Sequence, residues 1–559
     1  MTDHHTGGDV RTEAARRRSI AVISHPDAGK STLTEALALH TRAITTAGAV
    51  HGKGDRAGVV SDWMEMEQKR GISITSAALR LAYGDTVINL LDTPGHADFS
   101  EDTYRVLTAV DAAVMLLDAA KGLEPQTLKL FEVCRRRGVP VITLINKWDR
   151  PGLEALELCD ELEQRITLRP TPLTWPLGEA GRFVGLLDVA AGDVRTYERA
   201  PGGAQLAAET RLVPGTARER LGADYDDAVE AAALLDGVDQ DSFLAGRTTP
   251  LLFGAALANI GVRQLLDAIV DLAPPPSARP DVRRTADVLG AGARAGVRGE
   301  AATSDTTAGE LPAGLPTRPV DAPFSGFVFK MQAGMDPKHR DHVAFLRVCS
   351  GRFERGMVVT HERTGRPFAT KYALQVFGRE RETVEEAFPG DVVGLVNAST
   401  LAVGDSLYEP GGAAVRYPPM PAFAPEHFRA ARVKDPGRSK QFRKGIAQLQ
   451  QEGVVQVLVS DARGDGNPIL AAVGPLQFEV ATYRMEHEFS APVVLDHLDL
   501  SVARIVRPDD VPLVTRAVGT EVARRSDGTL LALFRDVWRL RSLQREYSLD
   551  LQPLVAGGE

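Results

Sequence analysis

The sequence predicts a multidomain fold: an α/β domain on a mostly parallel sheet carrying an insertion, then a β-barrel domain, then an α+β C-terminal domain. Three observations predict it. Across the first half, apolar runs of strand type alternate with helical patterns, and several runs end in short polar motifs. From Phe324 the texture changes to short strands separated by glycine turns. Beyond Pro410 helix and strand patterns mix again. The expected boundaries are 1–277 for the first domain, with its insertion at about 151–249, then a flexible linker at 278–320, the barrel at 321–411 and the last domain at 412–559.

Composition narrows the function classes. With 43% hydrophobic and 25% charged residues, the chain of 559 residues has the make-up of an ordinary globular protein. A net charge of −9 argues against a polycation that coats nucleic acid, although a local basic face is compatible with it. The three cysteines, Cys134, Cys159 and Cys349, are far apart and support neither a disulfide framework nor a zinc site. The polar stretch before Ser19 lacks the apolar core of a signal peptide, its His4 and His5 reading as part of a tail, and no run has the length of a membrane span. The expectation is a cytoplasmic protein with no membrane partner.

The first strand-type run, Ser19 to Ile23, leads into Ser24, His25, Pro26, Asp27, Ala28, Gly29, Lys30, Ser31 and Thr32, followed by the helical pattern of Leu33, Leu37 and Leu39. Strand, glycine-containing loop, helix is the order of a phosphate-binding loop. Backbone N–H groups and a helix N-terminus there face an anion. Lys30 would reach the terminal phosphates and Ser31 would bind Mg²⁺. The consensus opens with glycine where this chain has Ser24, so a polar turn with a chance lysine competes until the later motifs are read.

Glycines and polar residues from His40 to Val60 suggest a mobile loop, closing on Ser61 to Thr75. A nucleotide switch needs a hydroxyl here that completes the Mg²⁺ shell while the γ-phosphate is present, and Ser73 and Thr75 are the candidates. Val87 to Asp92 reads as a buried strand ending in an aspartate, followed by Thr93, Pro94, Gly95 and His96. An aspartate at that point holds Mg²⁺ through water, Gly95 allows close approach to a γ-phosphate, and His96 is placed to orient the attacking water.

Ala112 to Asp118 is a further central strand. The next run, Pro140 to Ile145, delivers Asn146, Lys147, Trp148 and Asp149, an N-K-x-D motif that reads guanine. The Asp149 carboxylate would accept from the base N1–H and exocyclic amine together, a pairing adenine does not offer. Pro250 to Leu257 closes the set, with backbone N–H groups of Ala255, Ala256 and Leu257 placed to meet the guanine carbonyl. Between Asp149 and Pro250 the chain is too long for one helix and one strand. Strands at Phe183 to Val189 and Val194 to Glu198 and a helix from Thr216 to Leu235 are expected there.

Pro274 to Pro276 ends the first domain, and Ala278 to Pro319 has too few large apolar residues to order itself. Barrel strands are expected at 326–330, 343–348, 357–360 and 391–396. In the last domain the pattern gives helices near Lys440 to Glu452 and at Leu476 to His487, with strands at 454–459 and 469–473. Two basic stretches, Lys338 to Arg340 and Arg429 to Lys444, suit a nucleic-acid-facing patch as well as a solvated helix face.

Taken in order, these residues resemble the translation-factor GTPases, and within them the bacterial peptide chain release factor 3 family. The closest stretches are Ile23 to Lys30, Ser61 to Glu67 with Arg70 to Thr75, Asp92 to His96 with Asp98 to Arg105, and Asp336 to Arg340. The resemblance implies an α/β P-loop GTPase domain that binds GTP and GDP with Mg²⁺. It implies a monomer that acts on the ribosome, through rRNA and ribosomal proteins, to promote departure of class-one release factors after peptide release. Carried over by motif, Asp27 to Thr32 cradle the phosphates, Ser73 is the switch hydroxyl, Ile72 and Pro26 form an apolar gate beside His96, and Asn146, Lys147 and Asp149 read the base. Ala255 stands where the family often has Thr or Ser, leaving backbone contact alone there. Ser24 fits the family, whose loop does not begin with glycine. The resemblance fails across the linker, which looks longer here.

Three rivals remain open to test. An elongation-type ribosomal GTPase would carry further domains beyond Glu559, a ribosome-protection or ribosome-stress GTPase would usually need extra C-terminal domains too, and a nucleotide-gated binding module would hardly hydrolyse GTP, against which His96 argues. No arginine finger can be identified, so slow intrinsic hydrolysis with an activating contact from the ribosome is expected.

Overall fold

Why the first domain forms around one strand is visible in burial: Ile20, Ala21, Val22 and Ile23 are fully enclosed, as only a strand covered on both faces can be. The computed structural model describes residues 9–43, 77–94, 96–198, 206–280, 317–333, 342–377, 380–418, 420, 424–464 and 466–554. The strands of the first domain are β1 (Arg17–Ile23), β2 (Ala77–Tyr83), β3 (Thr86–Asp92), β4 (Ala112–Asp118), β5 (Val141–Asn146), β6 (Arg169–Pro172), β7 (Thr174–Leu177), β8 (Gly185–Asp188), β9 (Val194–Glu198), β10 (Ala208–Leu212) and β11 (Thr248–Phe253). Seven of them make one sheet in the order β2-β3-β1-β4-β5-β11-β6. All neighbours in it are parallel except β2, which returns antiparallel along β3. Separate apolar clusters fill its two faces.

The stretch read as an insertion divides. The helix Ala155–Ile166 and β6 extend the main sheet, while β7 to β10 form a separate antiparallel sheet. The expected helix from Thr216 to Leu235 is broken into Pro214–Leu221 and Ala223–Ala232 by Gly222, whose φ of 53° leaves the right-handed helical region.

Both described ends of the linker are tied down. Arg279–Pro280 pairs antiparallel with Thr317–Arg318, and the Arg279 guanidinium donates to Thr108 O (2.7 Å) and Val110 O (3.0 Å). Residues 281–316 lie outside the described residues, as does the basic stretch Lys338 to Arg340.

The second domain is an eight-stranded antiparallel sheet that curls into a half-barrel around Phe324, Val328, Leu346 and Phe353. Ion pairs set it against the first domain. Arg17 Nε meets Asp391 Oδ2 at 2.8 Å, and Arg347 meets Asp111 Oδ2 at 2.6 Å. Burial works against the Asp111 charge, but the Arg347 and Arg279 guanidinium groups hold its carboxyl below the usual range.

The third domain is another eight-stranded antiparallel sheet, with helices Ser439–Glu452, Leu476–His487 and Val537–Tyr547 packed on it. Phe442, Ile446 and Leu449 recur at helical spacing on the buried face of the first of these. Its other face leaves Lys440, Arg443 and Lys444 exposed, with Arg438 in the turn just before it, Lys434 just after the preceding strand His427–Val433 and Arg432 on that strand, although Arg432 is paired to Asp496 at 2.9 Å.

Candidate nucleotide site

Parallel neighbours finish along one edge, and register fixes which residues meet there. Val22 lies opposite Asp92, Asp118 opposite Asn146, and Phe253 opposite Ile145. The sequence motifs that follow β1, β3, β5 and β11 are therefore gathered at the carboxyl edge, where open α/β sheets bind ligands.

Leaving β1, the chain turns through Asp27 (φ 65°) and Gly29 (φ 102°) before the helix α1 (Lys30–His40) begins. Glycine is needed at position 29 for two reasons. Its φ is left-handed, and a Cβ there would stand 2.6 Å from Asn146 Nδ2. Lys30 is buried, and its ammonium donates to Ser24 Oγ at 3.1 Å, so the serine at the first loop position holds the lysine. Ser31 and Thr32 follow on the first turn of α1, both half-buried. His25 is fully buried, with Nδ1 at 2.6 Å from Glu124 Oε2, which leaves only backbone at that position to face a ligand. Burial pushes its pKa down while the Glu124 carboxylate opposes the shift.

The loop after β5 is bonded directly to the loop after β1. Asn146 Nδ2 donates to Ala28 O at 2.8 Å, and Asn146 Oδ1 accepts from the Ala256 N–H at 2.8 Å. One amide thus joins three segments. Lys147, at φ 64°, sends its ammonium to Asp27 O (2.5 Å) and Asp118 Oδ2 (2.8 Å). Burial works against the Asp118 charge, yet hydrogen bonds from Lys147 and the Ala120 N–H hold its carboxyl below the ordinary value. Trp148 is 2% exposed and meets Phe253 edge-on at 4.9 Å between ring centroids, while Asp149 beside it is half-buried.

The expectation for Ala255, Ala256 and Leu257 narrows. The Ala255 N–H goes to Ile260 O and that of Ala256 to Asn146, because this turn closes on itself before it faces a base. The Leu257 N–H takes part in neither bond.

On the phosphate side, Asp92 is buried at the end of β3, and the Thr93 hydroxyl donates back to Val22 O at 2.6 Å. Pro94 O accepts from Thr103 Oγ1 at 3.2 Å. The His96 side chain is 38% exposed, and its Nδ1 receives the Asp98 N–H at 3.3 Å. Gly95, Ile72, Ser73 and Thr75 lie outside the described residues. Sequence reasoning missed Asp118, Trp148 and Glu124. A strand ending in aspartate at 118 and a bulky aromatic between two candidate base-reading residues were the available signals, whereas Glu124 gave none.

Comparison with known proteins assigns the class first. Residues 15–275 match the family model described as Elongation factor Tu GTP binding domain, and residues 323–410 match Elongation factor G domain 2. Fold and site together are those of a GTP-binding translation factor, a GTPase. Residues 417–544 match Class II release factor RF3, C-terminal domain. A protein of Synechococcus elongatus named peptide chain release factor 3 is 43% identical over 99% of this chain and 96% of its own length. One of Gloeobacter violaceus with the same name is 44% identical over 96% of each. The chain belongs to the peptide chain release factor 3 family, and is a GTPase of translation termination. A crystal structure of a protein from Thermus thermophilus shares the fold, with a TM-score of 0.66 at 24% identity over 86% of this chain and 67% of that one.

Proposed function

We propose that this GTPase engages the ribosome after the peptide has been freed, promotes dissociation of the class-one release factor while GTP is bound, and leaves when GTP is hydrolysed. Family membership supports the place of action. The observation that supports a nucleotide-binding role is the carboxyl-edge assembly, in which Asn146 joins the loop after β1 to the turn after β11.

In this reading the backbone of Asp27 to Thr32 surrounds the β- and γ-phosphates, and Lys30 turns from Ser24 Oγ to them. Asn146 and Lys147 hold the loop that presents Asp149 to the guanine edge. His96 orients the attacking water. A Mg²⁺ ion fits the donors present: the Ser31 hydroxyl on the first turn of α1, and the Asp92 carboxylate, which the Val22 register places one strand from the loop. When bound, it would neutralise charge on the phosphates. Ser73 is the proposed third contributor. The protein acts as a monomer in the cytoplasm, and the exposed Lys434, Arg438, Lys440, Arg443 and Lys444 face rRNA or ribosomal protein.

The test uses termination complexes carrying a labelled class-one release factor, after peptide release. Label should depart faster with this protein and GTP than with GDP or no nucleotide. Equal departure under all three conditions, alongside ribosome-stimulated GTP hydrolysis, contradicts the recycling role. Turnover by the isolated protein that matches the ribosome-stimulated rate contradicts the expectation of an activating contact.

A further inference from the structure

The segment that carries His96 does not end its contacts within its own domain. Asp98, in the turn Ala97–Phe99, is 8% exposed, and its Oδ2 accepts the backbone N–H of Leu476 at 2.7 Å. That N–H belongs to the first turn of the helix Leu476–His487 of the third domain, one of the donors a helix cannot satisfy internally. The carboxylate also meets the positive end of the helix dipole. Gly474 permits the approach, since a methyl at that position would overlap the Asp98 carboxylate. Phe99 packs with Leu476 and Val480 in a small apolar cluster between the domains.

The helix Ser100–Thr108 that follows is gripped at a second point with the opposite sign. Arg105, paired with Glu101, lays its guanidinium against Gly453, which terminates the helix Ser439–Glu452. An anion therefore meets one helix N-terminus of the third domain, and a cation meets another helix C-terminus. A domain carrying two such oppositely oriented ends fits this segment in one orientation.

The grip is continuous with the catalytic loop. The Asp98 N–H donates to His96 Nδ1 at 3.3 Å, Asp98 Oδ1 lies 3.3 Å from the same nitrogen, and Thr103 holds Pro94 O. A bare Nδ1 accepts from the N–H and a protonated Nδ1 donates to the carboxylate, so the ring keeps one orientation in either form. The Nδ1 edge of the ring is engaged in this way while the side chain as a whole is 38% exposed.

We propose that Asp98 is a positioning residue, through which docking of the third domain on the GTPase domain orients the His96 imidazole for hydrolysis. The proposal rests on the reading of His96 given above. Hydrolysis would then be fast only while the third domain is docked in this way, and a binding partner that shifts that domain would slow it. A preformed orientation of this kind acts on the chemical step and leaves nucleotide binding to the base side of the site.

Ribosome-stimulated GTP hydrolysis should be measured as kcat and KM, with GTP affinity and thermal unfolding, for the unaltered protein and for Asp98→Ala, Asp98→Asn, Gly474→Ala and the Asp98→Ala/Gly474→Ala pair. The expected result is a kcat lowered about tenfold in Asp98→Ala and in Gly474→Ala, with GTP affinity held within about twofold. Asp98→Asn, which keeps an oxygen for the Leu476 N–H, should recover part of the loss. The double variant should be no slower than Asp98→Ala, because both remove one contact. Unchanged or raised kcat in Gly474→Ala, or additive losses in the pair, would overturn the proposal. His96→Ala separates the two readings: turnover unaffected by it refutes the His96 role itself, whereas its loss beside normal Asp98 and Gly474 variants refutes only the positioning role.

Discussion

The two halves of the nucleotide site are built on opposite plans. On the base side, among the described residues, the bonds that fix Asn146, Lys147 and Trp148 stay inside the first domain, including those to Ala28, Ala256, Asp27, Asp118, Gly178, Gly254 and the Phe253 ring. On the phosphate side, Asp98, Phe99 and Arg105 reach into the third domain, and Asp102 faces Lys330 of the second at 3.7 Å. A binding function needs a surface that is the same in every state. A switch needs a segment whose partners can be exchanged, and partners on other domains supply that. On the proposed reading, the difference assigns affinity to the base half and timing to the half that carries His96.

The largest effect should come from the switch half. His96→Ala is expected to lower ribosome-stimulated kcat by about 100-fold or more, on the scale of removing a positioned proton-handling or water-orienting group, with GDP affinity little changed. Rapid-quench hydrolysis assays and equilibrium GDP titration check the two parts. A matching loss of GDP affinity would dissolve the division between halves.

Next, Asp149→Ala should cost at least about 100-fold in GTP affinity and abolish preference for guanine over adenine, because the base-edge donors would be left unpaired. Competition with ATP measures it. Asn146→Ala removes the amide that joins three segments, leaving the Ala256 N–H without its acceptor. An affinity loss of about 10-fold with about 1–3 kcal/mol lower stability is expected, read by nucleotide titration and denaturant unfolding.

The smallest effect tests the electrostatics of the base side. The folded-state pKa of Asp118 lies below its ordinary value, so its stabilising contribution is present above about pH 4 and disappears as pH falls through the folded value. Asp118→Asn should therefore be less stable than the unaltered protein by about 1.5–3 kcal/mol at pH 7, the scale of a hydrogen bond to a charged group. The gap should close in acid. Urea unfolding at a series of pH values would show it, and a gap independent of pH would mean that the Lys147 contact is not electrostatic.

What the sequence revealed follows the same division. The placement of Lys30, Asn146, Asp149 and His96 at or just beyond strand ends was legible because each follows an apolar strand-type run, and parallel register then brings strand ends together without further information. The β4 run was read to the residue, since seven consecutive buried positions leave no ambiguity of face. Contacts between domains were not legible. Asp98 and Leu476 are 378 residues apart, and nothing in a carboxylate beside a phenylalanine says that a distant helix end will need an acceptor. The break at Gly222 was missed because the apolar spacing runs on across it, while the tied ends of the linker depend on Arg279 finding carbonyls of the first domain.

The central claim is that the His96 segment is held from outside its domain while the base-reading loop is held from within. Native-state hydrogen exchange of the full chain, compared with Gly474→Ala, tests it most directly. Faster exchange at Leu476 and across residues 98–108, with unchanged exchange at 146–150, is the result expected. Equal exchange in both segments, or faster exchange in both, would contradict it.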